Sequence, residues 1–209
     1  MKRIFLIAPI AIFTLITSCG EAETKEVITE VTEIAETVIA KDYTVSTANS
    51  VVEWSGEGVG HGHKGDLVVK SGTFTIENSN VIKGEIKIDM TSLTVTDIPA
   101  EEEDNAKLVV HLTTEDFFNV AQFPLATLTI IDGSDMTNVK AKMTIKDVTE
   151  DITFALNSAE ENGIVTLTTT LKIDRTKFGV THNSGNFFED LGDRLIDDEF
   201  TLNITLVTE

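Results

Sequence analysis

The feature that most constrains this chain is a series of short segments in which apolar and polar residues alternate. From residue 200 to 206 every even position is apolar and every odd position is Thr or Asn. Comparable segments lie near residues 43–47, 52–54, 68–76, 82–88, 125–131, 139–145, 152–156 and 164–173. Thr, Ile and Val make up a third of the chain, and their branched side chains pack well on pleated sheets. A period of two with one apolar face predicts antiparallel strands, and about eight of them predict a β-sandwich or a closed barrel.

One stretch departs from this period and predicts a short helix inserted among the strands. Pro99 is followed by four acids at 101–104, which suit the positively polarised first turn of a helix. Leu108, Val109 and Leu112 then form an apolar stripe at helical spacing. The acidic run is interpreted as the solvated start of this helix, because it lacks the alternating ligands and the glycine of a calcium loop.

The first nineteen residues predict export. Lys2 and Arg3 precede an apolar stretch from residue 4 to 16, which is shorter than the roughly 20 residues of a membrane-spanning helix. The next four residues, Ile16-Thr17-Ser18-Cys19, resemble a bacterial lipobox, in which an aliphatic and two small residues precede a Cys that is diacylated and before which the chain is cleaved. Residues 1–18 are therefore predicted to be a lipoprotein signal peptide, and acyl chains on Cys19 would anchor the protein in the cell envelope, facing the periplasm or the cell surface. The alternative is an ordinary signal peptide with an incidental Cys.

Residues 19–41 are interpreted as an acidic tether that precedes a domain at 42–209. The tether carries six Glu and two Lys, and its apolar residues recur at a spacing close to that of a helix. Its β-branched content makes an isolated helix of this length marginal in water. A partly ordered spacer is favoured over a packed or self-associating helix.

Charge and cysteine content exclude several classes of function. The formal net charge of -19 leaves sequence-independent nucleic-acid binding without electrostatic support. A single Cys cannot form an internal disulfide or a Cys-based zinc site. The sequence also lacks a Gly-x-Ser-x-Gly nucleophile elbow, and none of its many carboxylates stands out as a pair, so no enzymatic activity is predicted.

Four groups of residues carry a resemblance to a known family. They are 51–54 with 61–65 and 72–74, then 111–124, then 139–154, and finally 173–180 with its Arg175-Thr176-Lys177-Phe178-Gly179. On these motifs the domain resembles the YceI-like family of exported bacterial proteins. The resemblance implies an antiparallel, eight-stranded, lipocalin-like barrel around an elongated apolar cavity. It also implies non-catalytic binding of a long-chain amphiphilic lipid, such as a polyisoprenoid, a prenyl phosphate or a fatty amide, with no cofactor besides that ligand.

The interior of such a barrel is either filled by side chains or able to hold one slender ligand. The many Thr, Ser, Ala and Gly residues in the strands favour an incompletely filled interior. The aromatic candidates for the cavity lining are Trp54, Phe74, Phe117, Phe118, Phe154 and Phe178. Each of them taken singly is more commonly a plain core residue. A filled barrel would make the domain a structural or partner-binding envelope module instead.

A lipid with a phosphate head would need cationic or hydrogen-bonding groups at one end of the barrel. The candidates beside glycines are His61, His63 and Lys64 in one predicted turn, then Arg175, Lys177 and His182. Arg175 is the strongest, because its planar guanidinium suits a phosphate. The alternative role for Arg175 is a structural ion pair with one of the abundant carboxylates.

A third hypothesis is histidine-dependent metal binding. His61 and His63 would share one face of a strand and could chelate a metal together with His111 or His182. Two nearby histidines without a required third ligand are weak evidence, so a simple glycine-rich turn is favoured and no metal is predicted.

Overall fold

The computed structural model of the chain describes residues 39–209. The predicted signal peptide, Cys19 and the part of the predicted tether before residue 39 lie outside the described residues. The first strand begins at Lys41, one position before the predicted start of the domain. Between residues 39 and 209, no helix combines the length and the apolar character needed to cross a bilayer.

The described residues form an antiparallel sheet with one short helix, which confirms the predicted fold class. The strands are β1 (Lys41–Thr44), β2 (Val51–Gly58), β3 (His61–Glu77), β4 (Asn80–Asp89), β5 (Leu125–Asp132), β6 (Val139–Ile145), β7 (Val148–Phe154), β8 (Asn157–Glu161), β9 (Ile164–Asp174) and β10 (Ile196–Val207). Helix α1 (Glu103–Thr113) is inserted between β4 and β5, where the sequence predicted it. Ten strands are present rather than the expected eight. Strand β8 is exposed at every position, so it lacks the apolar alternation that identifies a strand in a sequence.

The strands pair in the order β7-β6-β5-β4-β3-β2-β10-β9-β8, and β1 pairs with β3 beyond the end of β2. Within residues 39–209 no strand ladder joins β7 to β8, so the sheet curls into a barrel that is left open at this seam. Residues 155 and 156, which connect β7 to β8, make one hydrogen bond to each side of this seam. The Thr169 hydroxyl donates to the Ala155 carbonyl at 2.8 Å, and the Leu156 N–H donates to the Met136 carbonyl at 2.8 Å.

Antiparallel pairing gives the barrel two distinct ends. We call one the His61 end, where β2, β4, β6 and β9 finish and where β3, β5 and β10 begin. The other is the Lys41 end, where β1 begins, since Lys41 pairs with Ile76 near the end of β3. The described chain therefore enters the barrel at the end opposite to His61.

The Lys41 end is filled by tightly packed side chains. Its inward positions carry aliphatic residues, many of them β-branched, together with Phe74, which is 2% exposed and stacks on Tyr43 with 5.5 Å between ring centroids. Other fully buried residues at this end are Val45, Val81, Val139, Ala141, Val165 and Leu206. Burial of this apolar surface is the main stabilising term for the fold.

Helix α1 packs across the His61 end of the barrel. Its buried Asn105 donates two side-chain hydrogen bonds, to the carbonyls of Val95 at 3.0 Å and Ile98 at 2.7 Å. These bonds fasten the first turn of the helix to the segment that follows β4. Glu103 and Asp104 lie in the same first turn, where acids interact favourably with the helix dipole. The helix is thereby held over the barrel interior.

Candidate functional site: a cavity at the His61 end

An apolar cavity of about 250 Å³ lies inside the barrel at the His61 end. The strands contribute Trp54, Gly56, Leu67, Ile88, Ala126, Met143, Ile145, Phe200 and Leu202 to its wall. The helix and the segments around it contribute Met90, Leu93, Leu108, His111, Leu112, Phe117 and Phe118. Exposed Glu57, His61 and Asp197 also border the cavity, so its mouth opens beside them. An apolar concavity with a few polar groups at its rim is the usual form of a small-molecule site.

Small and unbranched residues at inward positions explain why this end is hollow. Gly56 and Ala126 project little or no side chain into the space where strands at the Lys41 end place valines and phenylalanine. Met143, which is 0% exposed, is unbranched and adapts its shape to what it packs against. The two ends of one set of strands therefore differ in side-chain volume rather than in backbone pairing.

Three of the six predicted aromatic residues border the cavity, namely Trp54, Phe117 and Phe118. The ring centroids of Phe117 and Phe118 are 6.2 Å apart, and those of Phe118 and Phe200 are 6.3 Å apart. The indole N–H of Trp54 donates to the Thr94 carbonyl at 3.0 Å, which fixes the ring in the wall. Phe200 was not among the predicted lining residues.

The structure corrects the other three aromatic predictions, because Phe74, Phe154 and Phe178 do not border the cavity. Phe74 lies in the half of β3 that leads to the Lys41 end, and Phe154 ends β7 at that same end. Phe178 is 2% exposed in a 3-10 helix at Arg175–Phe178, which packs against β7. All three are core residues, as the alternative interpretation held.

Arg175 is the one lysine or arginine among the residues that line the cavity in the described part of the chain. Its side chain is 4% exposed, and it donates hydrogen bonds to three backbone carbonyls, those of Asp197 at 2.9 Å, Val180 at 3.0 Å and Ile196 at 2.9 Å. The guanidinium also lies 3.5 Å from an Asp198 carboxylate oxygen. Burial lowers the pKa of Arg175, and Asp198 opposes that shift. Arg175 therefore ties the start of β10 to the end of β9, and its donors are directed at the protein.

The other predicted mouth residues separate into two groups. His61, His63 and Lys64 belong to strand β3 rather than to a turn, because the hairpin turns at Val59–Gly60. Alternation along the strand directs His61 and His63 toward the cavity and Lys64 to the outer face. Lys177 is exposed on its 3-10 helix and does not border the cavity. The sequence-based cluster of cations is thus not assembled.

His63 is held by an acid that the sequence did not single out. Its Nδ1 lies 2.8 Å from Asp97 Oδ2, and the other oxygen of Asp97 accepts the Lys64 backbone N–H at 2.9 Å. Burial opposes ionisation of Asp97, but the Lys64 N–H and His63 together hold its pKa below the ordinary value. The His61 ring lies 6.0 Å from that of His63, with its Nδ1 at 2.9 Å from the Val59 carbonyl.

His182 lies behind the cavity wall rather than at the mouth. Its ring packs at 4.8 Å against His111 and at 5.3 Å against Phe117, and both of those residues border the cavity. Burial lowers the pKa of His182, and His111 lowers it further. The neutral imidazole is therefore the form that this packing favours.

The histidines do not form a metal site in the described part of the chain. Between residues 39 and 209 no three side chains of His, Cys, Asp or Glu are grouped as a metal would require. His111 and His182 are in contact with each other and with Phe117, not with His61 and His63 as the third hypothesis required.

Sequence reasoning missed the methionines and the acids of the site. Met90 and Met143 line the cavity, and unbranched side chains at inward positions were a readable signal for a less filled interior. Glu57 and Asp197 border the mouth, yet nothing distinguishes them in the sequence from the many other acids of the chain.

Comparison with known proteins supports the fold and decides the family. Residues 43–208 match the YceI-like domain model. The chain belongs to the YceI-like family. Comparison with curated proteins gave no match.

Two solved structures share this YceI-like fold. BcnA from Burkholderia cenocepacia is 20% identical with a TM-score of 0.59, and the alignment covers 79% of this chain and 99% of BcnA. A polyisoprenoid binding domain from Saccharophagus degradans, implicated in plant cell wall breakdown, is 14% identical with a TM-score of 0.58, covering 80% of this chain and 97% of that one. Both neighbours are matched over nearly their whole length.

Proposed function

We propose that this YceI-like protein binds one slender, apolar amphiphile of the isoprenoid or fatty-chain class, without catalysing a reaction. The cavity at the His61 end is the observation that carries the proposal, because its wall is almost entirely apolar and its polar groups lie at the rim. Family membership and the likeness to a polyisoprenoid binding domain support the same class of ligand. Side chains fill the interior at the Lys41 end, whereas the alternative function would require a barrel that is filled along its whole length.

Cavity size limits how much of the ligand is enclosed. An apolar cavity of ~150 Å³ accommodates a benzene molecule, so one of about 250 Å³ encloses roughly ten carbon atoms. A short isoprenoid or fatty chain would be covered almost completely. A long polyisoprenoid would extend through the mouth past Glu57 and His61.

The charges around the mouth favour an uncharged head group over the phosphate considered from the sequence. Exposed Glu57 and Asp197 are both carboxylates, and the three nitrogens of Arg175 already donate to backbone carbonyls. A phosphate placed there would lack a free cation and would meet two like charges. An alcohol or amide would need only hydrogen bonds of the kind that His61 provides.

The proposed location is the cell envelope, with the domain held by acyl chains on Cys19. This part of the proposal rests on the lipobox-like Ile16-Thr17-Ser18-Cys19. Metabolic labelling with a radioactive fatty acid tests it, because a Cys19→Ser variant should lose the label completely. Labelling that persists in the variant would contradict acylation at Cys19.

Native mass spectrometry of residues 39–209 purified from bacterial cells tests the binding function. We expect an added mass from a co-purified lipid, or from farnesol supplied to the empty protein, at one molecule per chain. Ala126→Leu adds three carbons to the cavity and should weaken binding, lowering the fraction of protein that carries the added mass, whereas Ala159→Leu on exposed β8 should not. An empty wild-type protein that also fails to take up farnesol would contradict the proposal.

Head-group preference is tested by comparing farnesol with farnesyl phosphate, since the chain is identical in both. We expect farnesol to bind more tightly, by about tenfold if each rim carboxylate acts across solvent. Glu57→Gln with Asp197→Asn should reduce this preference, and Glu160→Gln with Glu161→Gln on exposed β8 is the matched control. Equal or tighter binding of the phosphate would contradict an uncharged head group while leaving lipid binding intact.

A further inference from the structure

Two adjacent aromatic side chains are exposed on the loop that leads into β10. Phe187 is 58% exposed and Phe188 is 49% exposed, whereas the other phenylalanines of the described domain are buried or partly buried. Two neighbouring phenyl rings are unfavourable when they are exposed to water, and exposed apolar groups of this kind mark contact sites.

The loop that carries these rings is fastened to the barrel. The backbone N–H groups of Phe187 and Phe188 both donate to the Ser184 carbonyl, at 3.1 and 2.9 Å, and Ser184 itself is 0% exposed. The Asn186 side chain donates to Asp198 at 2.6 Å. The rings are thus presented from a defined turn rather than from an unanchored segment.

The loop that carries the aromatic pair reaches the rim of the cavity. Its loop continues into Ile196 and Asp197, which border the cavity. The Leu195 carbonyl on the same loop accepts the Val59 N–H at 3.0 Å, which joins the loop to the tip of the β2–β3 hairpin. Val59 is 47% exposed and adds a third apolar side chain to this surface.

Other exposed apolar residues are also concentrated at the His61 end. Val110 on α1, Leu125 at the start of β5 and Val148 at the start of β7 are 61%, 41% and 37% exposed. The Lys41 end of the described domain carries exposed Ile39, Ile131 and Ile164 but no exposed aromatic side chain. Among the described residues, the His61 end therefore carries more exposed apolar side chains, including both exposed phenylalanines.

We infer that the His61 end docks on a lipid bilayer, with Phe187, Phe188 and Val59 inserted at the membrane interface and the cavity mouth facing the lipids. The occupant is a bilayer because the loop that carries the two rings continues into Ile196 and Asp197 at the opening of an apolar cavity, and a water-insoluble ligand reaches such an opening from a membrane. The choice of a bilayer and the exchange of ligand therefore rest on the proposed function, whereas the docking is measured separately from ligand binding. Aromatic rings are favoured at membrane interfaces.

Charge on the same loop determines which bilayer suits this surface. Glu189, Asp190 and Asp193 lie beside the aromatic pair, against one nearby cation, Arg194. An anionic bilayer attracts basic segments and repels acidic ones. Docking is therefore directed to zwitterionic lipids and is weakened by anionic ones.

Flotation of residues 39–209 with lipid vesicles tests the docking. We expect binding to phosphatidylcholine vesicles and weaker binding when phosphatidylglycerol is included at low salt. Phe187→Ser with Phe188→Ser should lower the binding about tenfold, from the apolar area that the two rings would bury. Ile131→Ser with Ile164→Ser, two exposed apolar side chains at the Lys41 end, should change it less than about twofold, since those residues stay in water.

Three results would overturn the inference: no flotation of the wild-type domain, equal losses in both double variants, or a change in sedimentation that shows the aromatic pair joining two copies of the chain. Uptake of farnesol separates docking from ligand binding. The Phe187→Ser, Phe188→Ser variant should bind farnesol from solution normally but take it from vesicles more slowly. A wild-type domain that floats but binds no farnesol from solution would contradict the proposed function and leave the docking standing.

Discussion

The two ends of the barrel are built from the same strands but differ inside: one is a packed core and the other contains a cavity. At the Lys41 end, inward positions are filled by β-branched residues and by Phe74, and the interior is solid. At the His61 end, Gly56, Ala126 and Met143 occupy the equivalent inward positions, and α1 covers a cavity of about 250 Å³. The comparison shows that the choice of inward-facing side chains, together with the helix placed over one end, makes half of one antiparallel barrel a core and the other half a cavity.

Removal of one phenyl ring at each end should give the largest expected difference in the free energy of unfolding. Phe74→Ala should lower the free energy of unfolding by about 4 kcal/mol, because it removes a fully buried ring and leaves a void. Phe118→Ala, beside the existing cavity, should cost only about 1 kcal/mol, because its ring already lacks neighbours on one side. Urea denaturation followed by circular dichroism measures both. Equal losses would mean that the ends are packed alike.

Removal of Arg175 tests whether the cavity rim has a structural cation. Arg175→Met leaves three backbone carbonyls without their donor and Asp198 without a cation, so it should cost about 3 kcal/mol. Arg175→Lys should recover only part of this, since an ammonium cannot reach three carbonyls with the geometry of the planar fork. Chemical denaturation of the two variants provides the measurement. If the Arg175→Met protein were as stable as the wild type, Arg175 would not be a structural cation, and the interpretation of it as a ligand-binding residue would be favoured.

Enlarging one buried alanine at each end compares the space available in the core with that in the cavity. Ala141 is 1% exposed in the packed core, so Ala141→Leu should destabilise the domain by about 2 kcal/mol. Ala126 borders the cavity, so Ala126→Leu should change stability by less than about 0.5 kcal/mol because the added carbons enter empty space. Thermal denaturation distinguishes the two. A strongly destabilised Ala126→Leu protein would show that the cavity does not accept additional atoms.

The smallest expected effect is a pH dependence confined to the His61 end. Burial lowers the pKa of His182 from its ordinary 6.5, so between the folded and unfolded values the unfolded chain binds more protons. Stability from this group is therefore fully present above pH 6.5 and declines as the pH falls below that value. His182→Phe should flatten the slope between pH 7 and 5 in urea denaturation series. An unchanged slope would mean that His182 is not held neutral by its packing.

A second acid dependence should lie at lower pH and away from the cavity. Hydrogen bonds from the Ser134 hydroxyl and N–H hold the pKa of Asp132 at about 2, so the unfolded chain again binds more protons than the folded one between pH 3.8 and 2. Its contribution is present above pH 3.8 and is lost as the pH falls toward 2. The two dependences occupy separate pH ranges, so they can be resolved in one titration.

The alternation of apolar and polar residues predicted the antiparallel strands but left a sandwich and a barrel open, and the resemblance to a known family favoured the barrel. The helical spacing of Leu108, Val109 and Leu112 predicted the inserted helix. Alternation could not reveal β8, whose residues are all exposed, because a strand without a buried face has no alternating pattern. It also could not assign residues to an end of the barrel. Period-two patterning states which side chains point inward, whereas the level of Phe74 or Phe154 along the axis depends on strand register.

The polar part of the site was predicted less well, for a reason of distance along the chain. The carbonyls that Arg175 bonds at Ile196 and Asp197 are 21 and 22 residues away, and Asp97 meets His63 across 34 residues. Sequence shows which side chains are able to bind a phosphate, but not whether the folded backbone has already engaged their donors. The cations beside glycines have the side chains that a phosphate would need, but the fold does not bring them all together around the cavity.

Trp54 provides the most direct measurement, because it is the single tryptophan of the chain and borders the cavity. Fluorescence of residues 39–209 should be quenched saturably by undecanol brominated at the end of its chain, at one molecule per domain, since bromine would lie in contact range of the indole. Ala126→Leu should weaken this quenching, because its added carbons occupy part of the cavity, and Ala159→Leu should leave it intact. Quenching that does not saturate, or that is unchanged in Ala126→Leu, would contradict a ligand site in the hollow half of the barrel.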